Sequence, residues 1–106
     1  MRHPVTPDGR YFVVKGKLWR LSDPAIEPGE RARLVQTLVD ARRAVKDAKS
    51  TRDRAAELEA HRLIDEAKRA LGERGPVWWD DGAPDLNRHA VKGTPYADWF
   101  SKQRSG

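Results

Sequence analysis

The densest cluster of polar and aromatic side chains in this sequence lies in its C-terminal third. Trp78 and Trp79 are followed directly by Asp80 and Asp81, and a further carboxylate stands at Asp85. Hard divalent cations prefer several oxygen ligands, so one hypothesis is a cation site on these three aspartates. The ligands of a calcium loop repeat on alternate positions and end in a distal glutamate, a pattern that this segment lacks. We therefore expect the aspartates to cap turns, and we expect no bound metal.

The three histidines, His3, His61 and His89, lie far apart in the sequence and show no metal-ligand spacing. No acid or serine accompanies any of them as a triad partner would. The chain has no cysteine, which excludes a thiolate zinc site and a thiol nucleophile. We therefore expect a protein that is not an enzyme and has no cofactor. The alternative is a small enzyme or metal-binding protein that uses the Trp/Asp segment.

Basic residues form the second candidate site. The formal net charge is +5, and the whole excess lies in residues 1–49. A surplus of this kind attracts nucleic-acid phosphate. The residues of a hypothetical nucleic-acid interface are Lys15, Lys17, Arg20, Arg42, Arg43, Lys46 and Lys49, with Arg2 and Arg10 beside them.

Three aromatic residues of the same region, Tyr11, Phe12 and Trp19, would stack on bases if they faced solvent. No named nucleic-acid-binding motif is present, however. The competing interpretation is a solvated basic face, neutralised in part by acids of the second predicted helix. These acids are Glu57, Glu59, Asp65 and Glu66.

A β-hairpin over residues 10–21 is the first element that the pattern predicts. Two runs rich in β-branched and aromatic residues flank Lys15-Gly16, which has the length of a two-residue hairpin turn. Two strands alone are barely stable in water, so the hairpin must pack against something else. Its strand edges are expected to be open to a partner.

Two amphipathic helices follow, over residues 30–49 and 51–72. Ser50 and Asp53 have the spacing of a capping box, and the apolar stripe changes phase at this point. The pattern favours two antiparallel helices joined by a tight turn, with one long bent rod as the alternative. Both apolar stripes are rich in alanine and bury little area, so a bulky cover is required.

The C-terminal part is predicted to supply that cover. Residues 76–93 form a Trp/Asp-rich loop, 94–100 a short helix that begins at Thr94 and Pro95, and 101–106 a frayed tail. The predicted fold is α+β: one domain, 1–106, in which the hairpin and the Trp-rich segment pack on a two-helix hairpin. Its expected structural core contains Trp78, Trp79, Trp99, Leu38, Val45 and Leu63.

A possible partner site lies on the second helix. Leu58 points away from the apolar stripe and lies beside Arg62, which suggests contact with another protein or with a second copy of the chain. The function expected from these features is a protein-interaction or accessory module, with nucleic-acid binding as the alternative. No stretch approaches the roughly 18 apolar residues of a membrane span, so we expect no membrane contact and a cytoplasmic location.

Several segments together resemble a family of small, uncharacterised bacterial proteins. The most specific of them are the run Leu71–Asp85, LGERGPVWWDDGAPD, and the run Thr94–Trp99, TPYADW. Members of that family sometimes carry an automatic label as Tol-type biopolymer transporters, components that need a membrane anchor. The resemblance covers nearly the whole chain, and it implies neither an activity nor functional residues.

Overall fold

The computed structural model describes residues 3–104, and its class is mixed α+β, as the sequence predicts. Its elements in chain order are β1 (Tyr11–Val14), β2 (Lys17–Arg20), α1 (Pro28–Ser50), α2 (Arg54–Leu71), a 3-10 turn (Val91–Gly93) and α3 (Ala97–Arg104). The contacts group these residues into two compact units, and the single domain stays a prediction. We call residues 3–22 with 77–104 the hairpin unit, and Asp23–Pro76 the helix unit.

β1 and β2 form an antiparallel hairpin in the predicted position. Val14 pairs with Lys17, which leaves Lys15 and Gly16 as a two-residue turn. Both turn residues have left-handed backbones, with φ of 52° and 78°. Such turns match the twist of the strands they join, and glycine adopts this conformation without steric cost. Lysine does not, so Lys15 is held in its conformation at some cost.

Both edges of the hairpin are covered by other segments of its own unit, so the expected open edges are not found. The N–H of Val13 donates to the carbonyl of Pro4 at 2.9 Å, on the side of β1. On the side of β2, the N–H of Leu18 donates to the carbonyl of His89 at 3.0 Å. Strand addition by a partner is blocked because these backbone groups are already paired.

The hydrophobic cluster of the hairpin unit contains the tryptophans. Tyr11, Val13, Leu18, Trp79 and Val91 are its buried members, and the other two C-terminal indoles pack against it half-buried. The C-terminal indoles complete the cluster of the hairpin unit, and their role as cover for the helix pair stays a prediction. The hairpin needs these side chains because a two-stranded hairpin lacks a core of its own.

α1 and α2 pack against each other in the helix unit. Leu34 and Leu38, from the first half of α1, cluster with Ala67 and Leu71, from the last turns of α2. The helices are therefore antiparallel, and the alternative of one long rod is excluded. Ile26 and Ile64 complete this cluster, so branched aliphatic side chains supply the area that the alanines lack.

The helix termini differ in detail from the sequence prediction. Ser50 is the last residue of α1, and Asp53 alone caps α2 by accepting the N–H of Ala56 at 3.0 Å. The residue between them with a left-handed backbone is Arg52, at φ 57°. Gly72 ends α2 in the left-handed conformation, at φ 86°. That C-cap follows the sequence prediction and its usual physical cause.

The C-terminal helix lies further along the chain than predicted. α3 begins at Ala97 rather than at Thr94, because Thr94 and Pro95 form a turn whose threonine oxygen accepts the N–H of Tyr96 at 3.3 Å. It runs to Arg104, so residues 101–104 are helical where a frayed tail is expected. In the part of the chain that the structure describes, no helix has the length and apolar character needed to traverse a bilayer.

Candidate functional site

Two of the three aspartates of the Trp/Asp segment, Asp81 and Asp85, form internal contacts, whereas Asp80 is exposed. Asp81 forms an ion pair with Arg10 and accepts the N–H of Ala83 at 3.0 Å. The guanidinium of Arg10 lies over the ring of Trp79, 4.6 Å from the centroid, so the cation contacts a carboxylate and an indole together. The hydrogen bond from Arg10 holds the pKa of Asp81 below its usual value. Asp81 therefore links the Trp/Asp segment to Arg10, and its carboxylate is not a free ligand for a cation.

Arg20 is a second internal cation, and this corrects its assignment to a nucleic-acid interface. Its side chain is fully buried and contacts Asp85 at 3.1 Å, while Asp85 also accepts the N–H of Asn87. The backbone N–H of Arg20 donates to the side chain of Asn87 at 3.0 Å. A buried guanidinium cannot reach a phosphate, so Arg20 joins β2 to the Trp/Asp segment.

Neither the carboxylates nor the histidines assemble a metal centre. Across residues 3–104 the structure brings together no group of three or more His, Asp or Glu side chains that could hold an ion. His61 lies 3.5 Å from Glu57, one turn away on α2. His3 lies against Phe12, with ring centroids 6.0 Å apart.

Asp8 lies at the centre of a polar network that the sequence does not reveal. The hydroxyls of Tyr96 and Thr6 and the N–H of Arg10 all donate to its carboxylate. Burial raises the pKa of Asp8, but these three hydrogen bonds outweigh it and hold the pKa below its usual value. The network joins the N-terminal turn to the segment before α3.

Of the two residues expected to form a partner site, Leu58 is exposed, whereas Arg62 is engaged in ion pairs. Leu58 is 64% exposed and stands among charged side chains. Arg62, however, is held between Glu59 and Glu66 on the same helix, so its charge is already neutralised. A single exposed leucine is ordinary for a protein surface.

A more complete candidate lies on α1, and we call it the basic face. At 3.6 residues per turn, the residues of this face lie within an arc of about 80° around the helix and extend about 21 Å along the helix axis. The basic face consists of Val35, Val39, Arg42, Lys46 and Lys49, with Arg43 at its border. Val35 and Val39 are 45% and 40% exposed. At 100° per residue, both valines lie about 60–140° round the helix from Leu34 and Leu38, the residues of α1 that cluster with α2.

The cations of the basic face are not neutralised. Arg42, Arg43, Lys46 and Lys49 are exposed and form no ion pair with any residue between 3 and 104. The acids of α2 that were expected to balance them pair elsewhere within the helix unit. Glu57, Glu59 and Glu66 lie against bases of α2 itself, and Asp65 lies against Arg69 and Arg74.

Lys15 and Lys17 lie at the hairpin turn, away from Arg20. They line a cavity of about 440 Å³ together with Lys92 and with residues of α3. The sequence carries no signal for Lys92 at this place, because nothing in its spacing links it to a turn more than 70 residues earlier. Among the aromatic residues proposed to stack on bases, Tyr11 is buried. Phe12 and Trp19 are half-buried on the face of the hairpin that is opposite to Tyr11. Arg2 lies outside the described residues.

Comparison with known proteins finds no relative of this chain. No protein-family model, no curated protein and no solved structure matches the chain. The family resemblance drawn from the sequence therefore stays a prediction, and function has to be inferred from the geometry alone.

Proposed function

We propose that the protein is a non-catalytic interaction module whose basic face docks an acidic amphipathic segment of another protein. The observation that carries the proposal is the alignment of two exposed valines with three unneutralised cations on one side of α1. Val35 and Val39 lie one turn apart, and Arg42, Lys46 and Lys49 continue the same line.

The chemistry of this face specifies its partner. Docked helices are recognised by apolar anchors one turn apart, and charges around the anchors set orientation and association rate. A partner segment with apolar residues four positions apart, followed by several Glu or Asp residues, complements both parts of the face. The basic face has no comparable acidic stretch within it, so a second copy of α1 would meet it with like charges.

Titration of the full chain with defined peptides tests the proposal. An amphipathic helical peptide with two leucines four positions apart and a glutamate-rich end should bind at least tenfold more tightly than its leucine-to-serine version. The variant Val35→Ser/Val39→Ser should lose about tenfold, because two side chains no longer bury apolar area. Arg33→Gln provides the matched control, because Arg33 is exposed on the opposite side of α1 and pairs with Glu30.

Equal affinity of the leucine and serine peptides would reject the amphipathic segment as the partner. Sedimentation of the free protein addresses the remaining possibility, for which we expect a monomer. A dimer that dissociates in Val35→Ser/Val39→Ser would identify the partner as a second copy of the chain.

Nucleic-acid binding is the second candidate, and it is favoured by four exposed cations within two turns of α1. It predicts binding to mixed-sequence DNA or RNA that weakens steeply with salt. Exchange of Arg42, Lys46 and Lys49 for Gln should lower the salt slope by about 2–3, since each phosphate contact contributes about 0.7–0.9. Val35→Ser/Val39→Ser should not change this binding, and that difference separates the two candidates.

A further inference from the structure

The cavity beside Lys15, Lys17 and Lys92, which we call the turn cavity, has the features of a ligand site. Its volume of about 440 Å³ is within the range of pockets that bind small molecules. Three segments of the hairpin unit line it: the β1–β2 turn, the stretch around Val91, and the first turns of α3 at Ala97 and Phe100. The basic face of α1 contributes nothing to it, so the inference below is independent of the proposed function.

The frame of the turn cavity is held by a chain of backbone hydrogen bonds. The N–H of Val91 donates to the carbonyl of Gly16 at 2.8 Å, which ties the 3-10 turn to the hairpin turn. The carbonyl of Val91 accepts the hydroxyl of Thr94 at 2.7 Å, and the carbonyl of Thr94 accepts the N–H of Ala97 at 3.1 Å. The walls are therefore fixed before any ligand arrives, which lowers the entropy cost of binding.

The lysines at the rim are available to an anion. Lys15, Lys17 and Lys92 are all exposed, and none forms an ion pair with any residue in the described range 3–104. Lys15 also occupies a left-handed position, φ 52°, where a lysine is unfavourable. Lys15, Lys17 and Lys92 all line the turn cavity, so together they carry more positive charge than a single carboxylate neutralises.

The interior of the turn cavity is apolar. Val91 and Ala97 line it with aliphatic groups, and Phe100 contributes a half-buried aromatic ring. A ligand that fits must combine a multiply charged anionic group with an apolar, preferably planar body. A phosphate monoester carries a charge of about −1.5 to −2 at neutral pH, and lysine binds phosphate as a point charge.

We infer that the turn cavity binds a small phosphate monoester that also carries an aromatic ring. Nucleoside monophosphates, with the phosphate on the ribose and the base as the ring, are the biological form. The phosphate lies among Lys15, Lys17 and Lys92, and the aromatic ring lies against Val91, Ala97 and Phe100. A phosphate alone would leave the apolar walls wet, and a nucleoside alone would leave the three ammonium groups without a counter-charge. Both parts of the ligand are required for tight binding.

Titration of the full-length protein, followed by backbone amide chemical shifts, tests this inference. The probes are adenosine monophosphate, uridine monophosphate, phenyl phosphate, inorganic phosphate and adenosine. We expect saturable shifts at Gly16, Val91, Lys92 and Ala97 with the three monoesters, and affinities at least tenfold above those of inorganic phosphate and adenosine. A preference for the nucleotides over phenyl phosphate would identify a nucleoside site, whereas the reverse would limit the site to a phosphorylated ring.

Two variants separate the contributions of charge and cavity. Lys15→Gln/Lys92→Gln should weaken monophosphate binding at least tenfold. Ala97→Met should cause a similar loss without any change of charge, because its longer side chain fills the cavity. Arg54→Gln is the matched control, since it removes an exposed cation at the start of α2 and should leave the affinity unchanged.

Four outcomes would overturn the inference. Equal affinity for inorganic phosphate and the monoesters would show an anion patch without a cavity site, and undiminished binding by Ala97→Met would show the same. The absence of saturable shifts with every monoester would leave no phosphate site at all. A glutamate-rich peptide that shifts the same amides at lower concentration than the monoesters would reassign the cavity to an acidic protein segment.

Discussion

Arg20 and Asp85 illustrate how single residues hold the hairpin unit together. The guanidinium of Arg20 is fully buried, while Asp85 is partly open to solvent and accepts a hydrogen bond from it. Taking a guanidinium out of water is costly unless a carboxylate compensates its charge. Alternation along β2 places Arg20 on the same face as Leu18, but the carboxylate that compensates its charge, Asp85, lies 65 positions away in the sequence.

Replacement of Asp85 by Asn should destabilise the hairpin unit by about 1–3 kcal/mol, because the ion pair between Asp85 and the buried guanidinium of Arg20 is lost. Asparagine keeps an oxygen that can accept the N–H of Asn87, so the local turn is preserved. The measurement is urea unfolding followed by tryptophan fluorescence, with Asp80→Asn as the control at an exposed aspartate. Equal stability of both variants would contradict the structural role of the ion pair.

Acid sensitivity also follows from single residues. Asp8 and Asp81 have pKa values held below the ordinary value of 3.8, Asp8 by hydrogen bonds that outweigh its burial and Asp81 by its bond to Arg10. A depressed folded-state pKa adds stability above the unfolded-state value, and that stability is lost as pH falls through the folded-state pKa. Unfolding followed by fluorescence should therefore show a decline in stability that begins near pH 3.8 and continues below it.

The variant Asp8→Asn separates the contribution of one carboxylate. It should be less stable than the parent near neutral pH, and the difference should shrink as the solution is acidified, because the parent then loses the same charge. A constant difference at all pH values would mean that the charge of Asp8 contributes nothing.

At the scale of elements, local signals in the sequence account for most of the secondary structure. The Lys15-Gly16 turn, the helix stop at Gly72 and the break between the two helices all coincide with predicted positions. The start of α2 was misassigned because Ser50 and Asp53 both resemble caps, and periodicity does not distinguish the last residue of one helix from the cap of the next.

The left-handed residue in the α1–α2 turn provides a test at this scale. Arg52→Gly should stabilise the helix unit by about 0.5–1 kcal/mol, because glycine adopts positive φ without a steric penalty. Arg54→Gly, inside the first turn of α2, should instead destabilise it by up to about 1 kcal/mol. Far-ultraviolet circular dichroism measures both changes, and a loss of stability in Arg52→Gly would contradict the assigned turn conformation.

At the scale of the whole molecule, each compact unit has its own hydrophobic cluster and its own spectroscopic signal. All four tryptophans belong to the hairpin unit, and the two long helices, of 23 and 18 residues, belong to the helix unit. Charge is also divided unequally between the units. The hairpin unit, residues 3–22 and 77–104, contains eight Lys and Arg residues and five Asp residues. The helix unit, Asp23–Pro76, contains twelve Lys and Arg residues and eleven Asp and Glu residues. Local arrangement, rather than net charge, therefore creates the basic face.

Core truncations should affect the signal of the unit that contains them. Leu18→Ala should lower the stability measured by fluorescence by about 2–5 kcal/mol, because Leu18 is completely buried in the hairpin cluster. Leu38→Ala should lower the stability measured by circular dichroism within the same range, because Leu38 is buried in the cluster of the helix unit. An unchanged fluorescence transition in Leu18→Ala would contradict the assigned core.

The sequence by itself determined the α+β class, the hairpin turn and the two helices, because these depend on backbone preferences and periodicity within a few neighbouring residues. Only the tertiary structure decided which cluster the tryptophans join, which cations are neutralised and which lysines share a cavity. Arg20 and Arg42 are the same residue type, yet Arg20 is buried beside Asp85 and Arg42 is exposed without an ion-pair partner among the described residues. Contacts between residues 65 or more positions apart decide that difference, and no local pattern encodes them.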